Sequence, residues 1–232
     1  MVFAGMQKLS LLDYPGVVAC TLFTLGCNFR CPWCHNAGLV LPEQFPEGTL
    51  DGEEVLRFLK KRQGILDGVA VTGGEPLLHE ELADFLPEVK ALGYRVKLDT
   101  NGSVPERLIN LVERGLVDRV AMDVKNGPSH YGRTIGLKGA VPAAVEKTKD
   151  YLLSGPVDYE FRTTVVRELH RPEDMADIGR WLAGAKRYYI QCFQDSGDLI
   201  SSGLTPFTRG ELEELLAAVK PFIPYAVLRG VD

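Results

Sequence analysis

Cys27, Cys31 and Cys34 put three thiols within the stretch CNFRCPWCHN (27–36), in a chain of 232 residues with five cysteines in all. A structural zinc site takes four ligands, usually as two pairs, so these three would need His35 or a distant residue to close the tetrahedron. His35 follows Cys34 directly, where its side chain is poorly placed to do so. A cubane iron–sulfur cluster has four irons and is ordinarily held by four thiolates. Three thiolates would leave one iron open to a ligand that is not protein. The plainer reading is three ordinary cysteines in a turn after a strand, but a free cysteine is usually buried singly rather than grouped in one loop.

Charged and small residues recur at the ends of apolar runs further on. In VTGGEP (71–76), Gly73 and Gly74 would let the backbone approach a ligand closely, and Glu75 offers a carboxylate to an ammonium group. A plain Gly-Gly turn is the alternative. LDTNG (98–102) and AMDVKN (121–126) set Asp99, Asp123 and Lys125 directly after apolar stretches. Each aspartate alone reads as a helix cap or turn former; together they make a charged rim. Arg162 in EFRTTVV alternates with apolar neighbours and so faces one side of its strand, either as an interior contact or in a salt bridge with Glu160. His79, His130 and His170 read as surface or capping residues, and Cys20 and Cys192 as core packing.

The elements that must position these groups follow from periodicity. Strands are expected at 17–25, 68–72, 94–98, 118–123, 158–166, 187–193 and 225–229, with helices at 51–62, 80–92, 105–114, 141–153, 172–183 and 208–220. Strands apolar on both faces and separated by helices pair in parallel, so the pattern is α/β, either a doubly wound sheet or a full or partial barrel. The long irregular stretches, 36–50, 124–140 and 194–207, follow strand ends or the cysteine loop, where such folds keep their chemistry. The cysteine loop itself is expected outside the apolar core.

Composition narrows the class. With 45% hydrophobic and 25% charged residues, the chain can bury a large core, and one domain over 1–232 is the expectation. A net charge of −5 with scattered Lys and Arg disfavours bulk nucleic-acid binding. No apolar run is long enough to cross a membrane, and the N-terminus lacks the order of a signal peptide, so a cytoplasmic location is expected. Three bunched and two distant cysteines make a poor disulfide framework.

The spacing C-x3-C-x-aromatic-C, with Trp33 before Cys34, resembles the signature of the radical S-adenosyl-L-methionine (SAM) enzymes. That resemblance implies a [4Fe-4S] cluster on Cys27, Cys31 and Cys34, with the amino and carboxylate groups of SAM on the open iron. An electron from the cluster would then cleave SAM to a 5′-deoxyadenosyl radical. It further implies that Trp33 lies against the adenine, that Gly73, Gly74 and Glu75 bind the SAM amino group, and that the fold is an incomplete TIM barrel, a partial (β/α) barrel of about six parallel strands.

SLLDYPG (10–16), TLFTLGCNFRCPWCHN (21–36), DTNG and D-V-K are similar to the glycyl radical enzyme activases, most of all the activators of anaerobic ribonucleoside-triphosphate reductase. On that likeness His35 and Asn36 match the C-H-N after the cluster, while Asp123, Lys125 and Arg162 contact SAM. Asp99, with Thr100 and Asp123, would hold a monovalent cation. Two neighbouring carboxylates do need a counter-charge, which Lys125 could supply instead. Where related activases carry a histidine, this chain reads YIQCFQDSG (189–197), so Gln191 or Gln194 would replace it. The implied partners are a glycyl radical enzyme and, since there is no second cysteine cluster, flavodoxin or ferredoxin as electron donor. The rivals are a radical SAM enzyme acting on a small molecule, such as a deazapurine-type synthase, and a zinc-binding module.

Overall fold

The structure, a computed structural model, describes residues 1–136, 141–195 and 197–230. Parts of two expected loops, 137–140 and residue 196, lie outside the described residues. In chain order the elements begin with β1 (Val2–Phe3), β2 (Gly5–Ser10), β3 (Ala19–Thr24), α1 (Ala37–Val40) and β4 (Leu50–Asp51). Next come α2 (Gly52–Arg62), β5 (Gly68–Gly73), α3 (Leu82–Ala91), β6 (Arg95–Thr100), α4 (Pro105–Glu113) and β7 (Arg119–Asp123). The chain continues through α5 (Tyr131–Thr134), α6 (Ala143–Leu153), β8 (Asp158–Val165), α7 (Pro172–Trp181), β9 (Tyr188–Cys192), α8 (Arg209–Val219) and β10 (Val227–Arg229).

Eight strands form one sheet in the order β10-β9-β8-β7-β6-β5-β3-β2. From β3 to β10 every pairing is parallel, and β2 adds antiparallel to β3 as an edge. The seven parallel strands are those expected from sequence, joined by helices as right-handed crossovers require. The edge strand β2 was not expected. Only its last residue is buried, so it has no apolar run for periodicity to find. The helices start where local chemistry dictates: Pro105 and Pro172 occupy first turns, and Asp51 caps α2 in a capping box with Glu54.

Alternation sorts the strand residues to two faces. Val69, Val71, Val96, Leu98, Val120, Met122, Phe161 and Ile190 are buried in the main core with apolar helix residues such as Val55, Leu86, Leu108 and Ile178. The residues between them, Lys97, Asp99, Arg119, Asp123, Glu160 and Arg162, share the opposite face. Groups from β3 through β9 border one cavity on that face, so the sheet curls around it as a partial barrel.

Candidate active site

The cysteine loop leaves β3 at Thr24 and is strapped by three separate segments. Gly26 N–H donates to Leu39 O (2.7 Å), Arg30 N–H to Ile135 O (3.0 Å) and Ser201 N–H to Pro32 O (2.9 Å). Contrary to the sequence expectation, the loop is not outside the core. Phe29, Cys31 and Trp33 are buried in it, in a segment that turns back on itself where Cys34 N–H donates to Cys31 O (3.0 Å). Cys27 and Cys34 are half-buried. All three cysteines border a cavity of about 320 Å³, at the small end of the range of roughly 300–1,000 Å³ for ligand pockets. Asp13, Trp33, His35 and Asn36 also border it.

Gly73 and Gly74 close the cavity at the end of β5. A Cβ on Gly74 would lie 1.9 Å from Gly26 O, and one on Gly73 2.4 Å from Thr24 N. The close approach they permit is therefore first to the root of the cysteine loop. Glu75 departs from the expectation that it offers its carboxylate to an ammonium group. It is 0% exposed and does not border the cavity. Oε1 accepts from Thr100 Oγ1 (2.9 Å) and Leu77 N–H (3.0 Å), and Oε2 accepts from Asn101 N–H (2.7 Å). Three protein donors satisfy the carboxylate from below the cavity, which is why it turns inward. Burial raises its pKa to about 7 in spite of those bonds.

The facing wall is the charged rim. Arg162 Nε donates to Asp123 Oδ1 (2.9 Å) and its terminal nitrogens reach Asp99 Oδ2 (3.2 Å). Lys97 also pairs with Asp99, and Lys125 Nζ lies 3.3 Å from Asp123 Oδ2. The structure thus overturns the alternative in which Arg162 bridges to Glu160. Glu160 is taken by Arg119 (2.5 Å) from the adjacent β7 and by Arg229 (2.8 Å), which reaches it from β10 across β9. The need of Asp99 and Asp123 for counter-charge is met from within the protein. Burial alone would raise Asp123, yet Arg162 and Lys125 hold its carboxyl well below the usual range. Burial alone would lower Lys125, and Asp123 instead holds it above its ordinary value. Thr164 and Gln191 complete this wall, whereas Gln194 is exposed and away from it.

His170 is buried rather than at the surface. Its Nδ1 accepts from Val166 N–H (3.0 Å), which leaves Nε2–H to donate to Lys125 O (2.9 Å), and its ring meets Trp33 edge to face at 5.8 Å. Burial lowers its pKa. One neutral histidine thus fixes both Trp33 and the backbone of Lys125. His79 contacts Leu25 O (2.7 Å) beside the cysteine loop, and His130 pairs with Asp174 near the surface. Sequence reasoning missed Lys97, although its position two before Asp99 puts it on the same face. It also missed Asn101 and His170, whose partners are distant in the chain.

All three thiols border one cavity with room beside them, which suits a cubane cluster with one iron open to a further ligand. Burial pushes the Cys31 thiol up to about 12 and raises Cys27 and Cys34, while Lys125 favours the ionised form of all three. Metal would supply the remaining stabilisation of the thiolates.

A profile described as the Radical SAM superfamily matches residues 21–182. A Methanocaldococcus jannaschii protein, provisionally named a glycyl-radical enzyme activating enzyme, is 30% identical over 235 residues, 99% of this chain and 96% of that one. A 7-carboxy-7-deazaguanine synthase of Koribacter versatilis is 30% identical over 159 residues, 67% of this chain and 65% of its own length. Among solved structures, Streptococcus suis SuiB bound to S-adenosylmethionine superposes with a TM-score of 0.69 over 89% of this chain at 13% identity. The chain spans about half of SuiB (49%), and the likeness is one of fold.

Proposed function

The chain belongs to the radical SAM superfamily, and on that premise we propose that it installs a glycyl radical on a partner enzyme, an anaerobic ribonucleoside-triphosphate reductase. Cys27, Cys31 and Cys34 would hold the [4Fe-4S] cluster, and SAM would occupy the cavity beside it. Together, when bound, the two supply an electron and a cleavable sulfonium, the source of the 5′-deoxyadenosyl radical on which the superfamily's chemistry runs. Trp33, braced by His170, offers aromatic surface to the adenine. Lys125 and Arg162, already paired with Asp123 and Asp99, present cationic groups to a carboxylate. Gln191, which borders the cavity, would take the place of the histidine that related activases carry.

The observation that carries the activase reading is the 30% identity to a glycyl-radical activating relative along 99% of the chain. A feature of the surface supports a protein substrate. Leu9, Leu11 and Leu12 are 55, 67 and 87% exposed, just before Asp13, which borders the cavity. Neighbouring exposed leucines suit docking of a polypeptide; these lie where Ser10 pairs with Ala19, at the end of β3 opposite the one from which the cysteine loop leaves. The groups of the site come from the strands of one sheet and from the segments that adjoin them, in keeping with a single domain over 1–232. The electron would come from flavodoxin or ferredoxin, since Cys20 and Cys192 lie outside the cavity lining.

The second reading, a small-molecule radical SAM enzyme, is favoured by the deazaguanine synthase relative. One experiment separates the two. The reconstituted, reduced protein is mixed anaerobically with SAM and the anaerobic reductase of the same organism, and the reductase is examined by electron paramagnetic resonance. A glycyl radical doublet on the reductase is expected. Cleavage of SAM with no radical on the reductase, but with turnover of a purine precursor, would favour the second reading.

A further inference from the structure

Cys27 is the end point of a hydrogen-bonded chain that the roles above do not use. Asn101 is buried, and its Nδ2 is directed at Cys27 Sγ (3.7 Å) and Asn28 Oδ1 (2.9 Å). Its Oδ1 accepts from Ser103 N–H (2.9 Å). That contact fixes the amide orientation, since the flipped side chain would set a donor against a donor. The main-chain N–H of Asn101 donates to Glu75 Oε2 (2.7 Å), while Oε1 of the same carboxylate takes Thr100 Oγ1 (2.9 Å). Thr100 Oγ1 in turn accepts from Gly102 N–H (3.0 Å). Glu75, at the end of β5, therefore staples the loop that follows β6, and that loop presents one amide to one cysteine sulfur.

The arrangement is asymmetric. Backbone N–H groups serve both Cys27 (Phe29, 3.4 Å) and Cys34 (Asn36), whereas among the described residues Asn101 is the one side-chain donor to any of the three thiols. Reduction of an iron–sulfur cluster adds negative charge that spreads onto its thiolate ligands. A fixed N–H dipole aimed at one thiolate stabilises that added charge and so favours the reduced form. We infer that Asn101, held in place by Glu75, is a positioning residue that orients the Cys27 thiolate and raises the reduction potential of the cluster. The inference rests on the cluster assignment under the proposed function and concerns the ease of reduction rather than the chemistry that follows.

The test compares wild type, Asn101→Ala and Asn101→Asp, each reconstituted anaerobically, by iron content and by spectroscopic redox titration without SAM. Asn101→Asp keeps an acceptor for Ser103 N–H and the main-chain bond to Glu75, but turns an anionic oxygen toward Cys27. Both variants are expected to retain full iron. At a fixed solution potential, the ratio of reduced to oxidised cluster falls about tenfold in Asn101→Ala, equivalent to 59 mV for one electron, and further in Asn101→Asp. If Asn101→Ala fails to fold, the Asn101→Asp shift alone carries the test. Full iron with an unchanged midpoint in the folded variants would overturn the inference and leave the cluster assignment standing. A wild-type protein that takes up no four-iron cluster would overturn both.

Discussion

Two groups of carboxylates among cations sit on the inner face of the sheet, built alike and placed differently. In the deeper one Glu160, 0% exposed, lies between Arg119 and Arg229, and Arg229 also stacks on Tyr189. In the other, Asp99 and Asp123 share Lys97, Arg162 and Lys125 at the edge of the cavity, where the Asp123 side chain is 32% exposed. The rim group has one more cation than anion. In the deep group Asp158 also pairs with Arg119 (3.7 Å), and none of its members borders the cavity, so it works as scaffold. The rim group leaves its surplus positive charge and spare donors facing the cavity, where an anionic ligand can complete them. The same residue types thus serve structure or binding according to burial.

Glu160→Ala should have the largest effect on this contrast. It leaves Arg119, 12% exposed, with only Asp158 at 3.7 Å as partner and should cost about 3 kcal/mol, read as a lowered denaturant midpoint. The folded fraction should bind SAM as the wild type does. A stability loss below about 1 kcal/mol would mean that the deep group resembles the rim.

Next is the pH dependence contributed by Glu75, which burial raises from the ordinary carboxyl value of 4.5 to about 7 in the folded state. A carboxyl raised on folding binds its proton more tightly in the native state. Its contribution to stability therefore falls as pH rises from about 4.5 to about 7 and is flat above that. Urea unfolding of apoprotein across that window should show the decline, and Glu75→Gln should remove it. An identical slope in the variant would assign the decline to another group.

Asp123→Asn tests the rim. It should lower the unfolding midpoint, though less than Glu160→Ala does because Asp99 still pairs with Arg162, and weaken SAM binding about tenfold, or 1.4 kcal/mol, through loss of the anchor for Lys125 and Arg162. The smallest effect belongs to the glutamines. Gln191→Ala should weaken SAM binding roughly threefold, within the range of about 0.5–1.5 kcal/mol for one hydrogen bond, and Gln194→Ala should not change it. The reverse order in calorimetric titration would show that the wrong glutamine has been placed at the cavity.

Much of this was readable before folding. The seven parallel strands announced themselves as apolar runs, and the cysteines, glycines, aspartates, Lys125 and Arg162 all fell at strand ends or on one strand face. What escaped was of two kinds. β2 has only one buried residue, so nothing periodic marked it. Asn101 and His170 owe their roles to partners 74 and 45 positions away, Cys27 and Lys125, and no local pattern carries such a signal. The orientation of Glu75 was misread for the same reason: the donors that turn it inward come mainly from the loop after β6.

The sequence by itself determined which residues lie on which face of each strand and at which end, because the two-residue repeat of an extended chain is a local property of the backbone. It also determined the grouping of the three thiols, which are neighbours along the chain. Only the tertiary structure decided that Arg162 joins Asp99 to Asp123 instead of bridging to Glu160, that Glu75 supports the site from beneath, and that the cysteine loop is packed into the core. Those choices depend on how far the sheet curls and on which groups it brings within hydrogen-bonding distance across it. Curvature and contact of that kind are settled by the packing of the whole molecule.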